Sequence, residues 1–232
     1  MIFHQLFDAE SSTYTYLLAD EKSKEAVIID PVLDQVERDE KLINDYGLTL
    51  IYSLDTHVHA DHITAADALR VKLGAKTCVS HRANLPCVDV PLKEGDSISF
   101  GSHSILVLET PGHTQCSLSF HIGERLFTGD TLLIRGCGRT DFQNGSAIDL
   151  YQSVHQKIFS LADATQIYPG HDYKGQTAST VGMEKRLNPR LKTGISQVDF
   201  VNVMANLGLP APKKLQEALP ANLACGKKGA SL

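Results

Sequence analysis

Apolar and polar positions along the chain change period several times, and each change marks an element. Residues 14–18 and 26–29 are apolar runs of strand length, separated by the polar turn at residues 20–24. Asp30-Pro31 then predicts a helix, with Pro31 in its first turn and a stripe of Val32, Val36, Leu42 and Ile43 running to Gly47. Residues 48–54 are continuously apolar, as expected of a strand covered on both faces. A helix over about 65–72 ends at Gly74, and a short strand follows at 77–79. Residues 97–100 and 104–108 predict a hairpin about Gly101-Ser102, and 117–121 with 125–128 a second about Gly123. Residues 148–159 have helical period, 166–168 form a short strand, and 197–206 are helix-like. This order is neither strict βαβ alternation nor all-β. Two mixed sheets covered by helices accommodate it. The tail from about residue 188 reads as a C-terminal extension on a single domain spanning 1–232.

Composition narrows the class. The 232 residues are 42 % apolar and 21 % charged, which excludes wholesale disorder. The net charge of −5 comes without a basic stripe, so no nucleic acid is expected as partner. No apolar run approaches the roughly 18 residues of a membrane helix, so no membrane is expected either. The first eight residues resemble neither a signal nor a transit peptide, which predicts a cytoplasmic protein. Five cysteines, an odd count without CxxC spacing, predict reduced thiols rather than a disulfide framework.

Four clusters place metal-ligand side chains where predicted strands end: His57-Val58-His59-Ala60-Asp61-His62, then Pro111-Gly112-His113, Thr128-Gly129-Asp130 and Pro169-Gly170-His171. Loops converge at strand ends while the sheet fixes them. Each Pro-Gly pair stops a strand and aims the histidine after it. Imidazoles with carboxylates suit zinc, iron or manganese rather than magnesium or calcium. His4, His81, His103, His121 and His155 each stand alone and read as structural or exposed. Asp55 reads equally as a turn residue or a group supporting the ligands. Arg135 and Arg139 lie on the glycine-rich loop after Asp130. They read either as ordinary ion-pair partners or as recognition groups for an anionic substrate. Cys116 and Cys137 read as small buried residues.

The order of these motifs resembles the metallo-β-lactamase superfamily over roughly residues 10–175. The stretches 55–64, 129–143, 167–173, 187–191, 219–222 and 225–226 narrow the resemblance to its persulfide dioxygenases. This implies an α+β fold, a four-layer αβ/βα sandwich of two mixed sheets. It implies oxidation of glutathione persulfide by O2 and water to sulfite and glutathione. It also implies one iron(II) per chain on His57, His113 and Asp130, a facial triad with an open face. His59, Asp61, His62 and His171 are then expected to support those ligands or act in catalysis. By position, Arg139 and Tyr173 match glutathione-contacting residues of related thiolesterases, with Arg135 a weaker choice. Members of the family often form homodimers. The same histidines and carboxylates could instead hold two metals, as in glutathione thiolester hydrolases resembling glyoxalase II. The loop 137–142 favours the dioxygenase.

Overall fold

The computed structural model of the chain describes residues 1–212 and 214–227. These form two compact units, one of residues 1–92, 97–105 and from 211 onward, the other of 93–96 and 106–210.

In the first unit, β1 (Ile2–Asp8), β2 (Thr13–Ala19) and β3 (Glu25–Ile29) are antiparallel neighbours. β4 (Thr49–Leu54), β5 (Lys76–Ser80) and β6 (Val90–Leu92) add to β3 in parallel, giving a mixed sheet in the order β1-β2-β3-β4-β5-β6. Parallel neighbours need crossovers. α1 (Val36–Asp45) joins β3 to β4, and α2 (Ala66–Leu73) joins β4 to β5. Leu17, Ala19, Ala26, Ile28 and Leu50 of the sheet pack with Ile43 of α1 and Leu69 of α2. Every residue of β2 is buried, so its pattern is a run rather than an alternation. α2 ends where expected, with Gly74 left-handed at φ 74.

The helix expected from Asp30-Pro31 starts later. Val32 stays extended because it bridges Thr64: Ala65 N–H donates to Pro31 O and Leu33 N–H to Ile63 O, both at 2.8 Å. One 3-10 turn, Leu33–Gln35, then leads into α1. β7 (Ser97–Phe100) turns at Gly101-Ser102 into β8 (His103–Glu109), as expected.

β8 continues into the second unit, whose strands β9 (Leu118–Ile122), β10 (Arg125–Gly129), β11 (Gln166–Pro169) and β12 (Ser179–Thr180) run in the order β12-β11-β10-β9-β8. Only β10 and β11 are parallel, so this sheet is mixed too. α3 (Ala147–Gln152) runs on through a π-helical turn, Ser153–Ile158. α4 (Val181–Leu187) and α5 (Gln197–Ala205) follow. Ser146, Thr180 and Ser196 cap these three helices by accepting a backbone N–H three residues on. Leu126, Leu150, Val154, Ile158, Ile167 and Phe200 form the core.

The C-terminal tail divides between the units. Residues up to 210 join the second, and α6 (Leu215–Leu223) returns to the first, where Ala218 and Ala221 pack on Ile63. No helix among the described residues is long and apolar enough to cross a membrane.

Candidate metal centre

In the first unit the centre is built at the ends of the adjacent parallel strands β3 and β4, where Ile29 faces Leu54 in register. Asp30 follows β3 in a left-handed conformation (φ 50), which turns its buried carboxylate onto the loop after β4. Oδ1 accepts Thr56 N–H at 2.7 Å, and Oδ2 accepts the Thr56 hydroxyl at 2.8 Å. That hydroxyl has one hydrogen and spends it on Asp30. Toward His57 Nδ1, 3.0 Å away, it can therefore only accept. His57 is thereby held as the Nδ1–H tautomer, with Nε2 keeping its lone pair for a metal.

His59 and His62 crowd beside it. Ring centroids are 4.2 Å apart for His57 and His59 and 4.3 Å for His59 and His62. His59 Nε2 meets Asp30 Oδ1 at 3.2 Å, while its buried Nδ1 has no hydrogen-bond partner. Burial alone would lower the His59 pKa. The carboxylates of Asp30 and Asp55 outweigh it and raise it to about 9. Burial, with Asp30 nearby, pushes Asp55 up to about 7, although it accepts the Thr64 hydroxyl at 2.9 Å. His62 Nδ1 lies 2.9 Å from Asp61 Oδ2 and 3.3 Å from the Thr13 hydroxyl. The backbone of the loop is held from α6. Asn222 donates to the carbonyls of His59 and His62 at 2.9 and 2.8 Å and accepts Thr64 N–H at 2.9 Å.

The second unit carries the other three clusters. His113 follows the Pro-Gly turn after β8, and Gly112 is obligatory there. Its φ is 141, and a Cβ would stand 2.3 Å from the Leu150 backbone. His113 Nδ1 lies 2.7 Å from the carbonyl of Arg139, which can only accept. In the neutral ring this selects the same tautomer as in His57, with Nε2 as the lone-pair nitrogen, 3.7 Å from Asp130 Oδ2. The other carboxylate oxygen of Asp130 lies 2.6 Å from His171 Nδ1. Two glycines make room. A Cβ on Gly138 would stand 2.4 Å from the Asp130 carbonyl and 2.7 Å from His113 Nδ1, and one on Gly170 2.8 Å from Asp130 Oδ1. The donor chemistry of each unit thus fits a metal: imidazoles stand beside carboxylates, and in the second unit glycine backbone lies close against them.

The residues expected to meet substrate are placed differently. The Arg139 guanidinium forks onto Asp141 at 2.6 and 2.8 Å and donates to the carbonyls of Pro210 and Leu209. Arg135 pairs with Glu184, which is fully buried and also accepts Ser179 and Asn188. Arg135 is therefore the ion-pair partner that the sequence offered as one of its two readings. Tyr173 is 73 % exposed and stacks on His171 at 6.1 Å.

Two groups were missed in the sequence. Asp30 stands at a strand end like the four recognised clusters, a signal that reading Asp30-Pro31 as a helix start obscured. Asn222 acts on a loop 160 residues away and has no local signal. The expectation of reduced cysteines is corrected: Cys87 and Cys225 form a disulfide with Cα atoms 6.1 Å apart. They are 138 residues apart in sequence, so no spacing pattern could announce them. Cys78, Cys116 and Cys137 are buried and take no part in the disulfide, and burial raises the Cys137 thiol to about 11.

Residues 9–171 match the metallo-beta-lactamase superfamily. The chain is 49 % identical to the mouse protein named persulfide dioxygenase ETHE1, mitochondrial, over 97 % of its own length and 89 % of the mouse protein's. It belongs to the persulfide dioxygenase family of the metallo-β-lactamase superfamily. The crystal structure of ETHE1 from Myxococcus xanthus is similar throughout, with a TM-score of 0.96, 52 % identity, and coverage of 98 % of this chain and 100 % of that one. A hydroxyacylglutathione hydrolase of Brucella anthropi is more distant, 30 % identical over 91 % of this chain and 81 % of the hydrolase. The α+β fold with two mixed sheets, expected from the sequence, is that of the family.

Proposed function

We propose that this enzyme, a single metallo-β-lactamase-fold domain, oxidises glutathione persulfide with O2 and water to sulfite and glutathione. One iron(II) per chain would be held by His57, His113 and Asp130. The observation that carries this reading is the near-full-length match to the persulfide dioxygenases, joined to a two-imidazole, one-carboxylate donor set. When bound, iron(II) supplies the redox chemistry by which O2, kinetically inert toward closed-shell sulfur, becomes reactive.

The chain's own residues bind and orient. Asp30 through Thr56, and the Arg139 carbonyl, hold His57 and His113 as Nδ1–H tautomers, so that Nε2 of each would be the atom to hold the metal. His171 positions the Asp130 carboxylate. His59, Asp61 and His62 line the loop as supporting groups, and their substitution weakens iron affinity or activity by roughly 10–100-fold. Tyr173 offers an exposed phenol beside His171 to the glutathione moiety. Arg139, held by Asp141, would bind a glutathione carboxylate through its guanidinium. A homodimer in the cytoplasm belongs to the same proposal.

One observation favours a second reading, a two-metal thiolester hydrolase. His59, Asp61 and His62 place their ligand atoms within 4.8 Å of one another. Metal analysis of anaerobically purified protein, an oxygen electrode and a sulfite assay decide between the two. The dioxygenase binds one iron per chain, consumes about one O2 per sulfite, and loses turnover when zinc replaces iron. Two metals per chain with rapid hydrolysis of S-lactoylglutathione and no O2 uptake would replace it by the hydrolase.

A further inference from the structure

Cys87 lies in the loop before β6 and is half-buried, whereas Cys225, just past α6, is 5 % exposed. Their disulfide ties the two segments together in the first unit. Three residues before Cys225 stands Asn222, whose amide holds the backbone of the 59–64 loop at three points. One residue after it, Gly226 lies so close to Thr64 that a Cβ would stand 2.4 Å from the Thr64 carbonyl. Cys225 also lines a cavity of about 20 Å³ shared with His57, His59, Leu85 and Val88, large enough for about one water. The bond therefore ties the segment before β6 to the end of α6 that holds the metal-binding loop, and Cys87 is the less buried of its two residues.

We propose that Cys87 and Cys225 are a reversible modification site. It is oxidised by small molecules carrying an electrophilic sulfur–sulfur bond and reduced by low-molecular-weight thiols. The disulfide state fastens α6, and with it Asn222, onto the histidine loop.

The chemistry starts at Cys87, the less buried of the two cysteines. With glutathione disulfide, the Cys87 thiolate attacks one sulfur and expels glutathione thiolate, leaving a mixed disulfide. The Cys225 thiolate then attacks Cys87 Sγ and expels the second glutathione. Two thiol protons go to solvent, two electrons pass from the cysteine pair to the two glutathione sulfurs, and one S–S bond replaces another. With glutathione persulfide, the outer sulfur is transferred to Cys87 as glutathione thiolate leaves. Cys225 then attacks Cys87 Sγ and expels hydrosulfide, so the outer sulfur is the electron acceptor. Only this second route rests on the proposed function.

The test uses the full-length, metal-loaded protein without O2, which prevents turnover of persulfide. It is equilibrated in glutathione/glutathione disulfide mixtures or treated with glutathione persulfide, then alkylated and mapped by mass spectrometry. Cys87 and Cys225 are expected to gain and lose protection together, with about one sulfide released per bond closed by persulfide. Hydrogen exchange at the Thr64 amide, which donates to Asn222, should be about tenfold faster in the reduced form. Cys87→Ser should show the fast rate in every buffer. The reduced wild-type chain supplies the same comparison without a substitution. Alkylation of both cysteines under all conditions, or equal Thr64 exchange in the two forms, overturns the proposal. Closure by glutathione disulfide alone sustains the site and removes glutathione persulfide as one of its oxidants.

Discussion

The side-chain amide of Asn222 donates to the carbonyl of His59, 163 residues earlier in the chain, at 2.9 Å. Nothing local requires this contact, yet with the bonds to His62 and Thr64 it holds the histidine loop to the last helix of the described chain. Asn222 is buried, so truncation strands two carbonyls and one N–H away from water. Asn222→Ala is expected to destabilise the fold by about 1–3 kcal/mol, read as a lower urea midpoint. It should also speed metal loss to a chelator. Wild-type values for both would show that the loop holds its shape alone.

Gly138 touches both His113 and Asp130. A methyl group there would drive into the Asp130 carbonyl and the His113 ring, and neither can retreat without leaving its place. Gly138→Ala should cost about 1–3 kcal/mol by overpacking. Its iron content after purification should fall well below wild type while the far-UV circular dichroism stays native. Full iron occupancy in the variant would show that the loop has slack.

Glu184 organises the loop after Asp130 from below. Its carboxylate accepts the Arg135 backbone N–H at 3.0 Å and its guanidinium, and Asn188 beside it donates to the Gly136 carbonyl at 3.0 Å. Glu184→Gln keeps the shape but removes the charge that Arg135 faces. Hydrogen bonds to charged groups are worth about 1.5–3 kcal/mol, so a loss of this size in thermal or urea unfolding is expected. A change below about 0.5 kcal/mol would mean that Arg135 finds solvent at no cost.

The buried group around His59 gives metal-free protein a pH dependence. His59 is raised from 6.5 to about 9 and Asp55 from 3.8 to about 7, so both bind a proton more tightly in the folded state. A raised group contributes stability that is full below its unfolded pKa and lost as pH rises through its folded pKa. For His59 that window is about pH 6.5 to 9, and for Asp55 about 3.8 to 7. The urea midpoint of chelated protein should fall between pH 6.5 and 9, and His59→Gln should flatten that limb. A midpoint that rises with pH over this range would contradict the arrangement.

Much of this was legible in the chain. Strands and helices with strong periods formed where their patterns placed them, because burial on one or both faces is written in consecutive residues. The runs at 26–29 and 48–54 became neighbouring strands of the first sheet, and Gly74, Gly101 and Gly123 marked turns through the left-handed backbone that glycine adopts without steric cost. The ligand-bearing motifs were equally local, since a Pro-Gly turn and a following histidine lie within a few residues. What tertiary structure alone decided were partnerships across long stretches of chain. Val32 stayed extended because Thr64 paired with it, overriding a local helix start. Asp30 became the anchor of the Thr56–His57–His59 network, and Arg135 paired with Glu184. Cys87 met Cys225, and Asn222 met the histidine loop, over separations at which sequence spacing carries no geometric information. Periodicity reports what a residue buries; which distant group it meets is set by the packing of the whole chain.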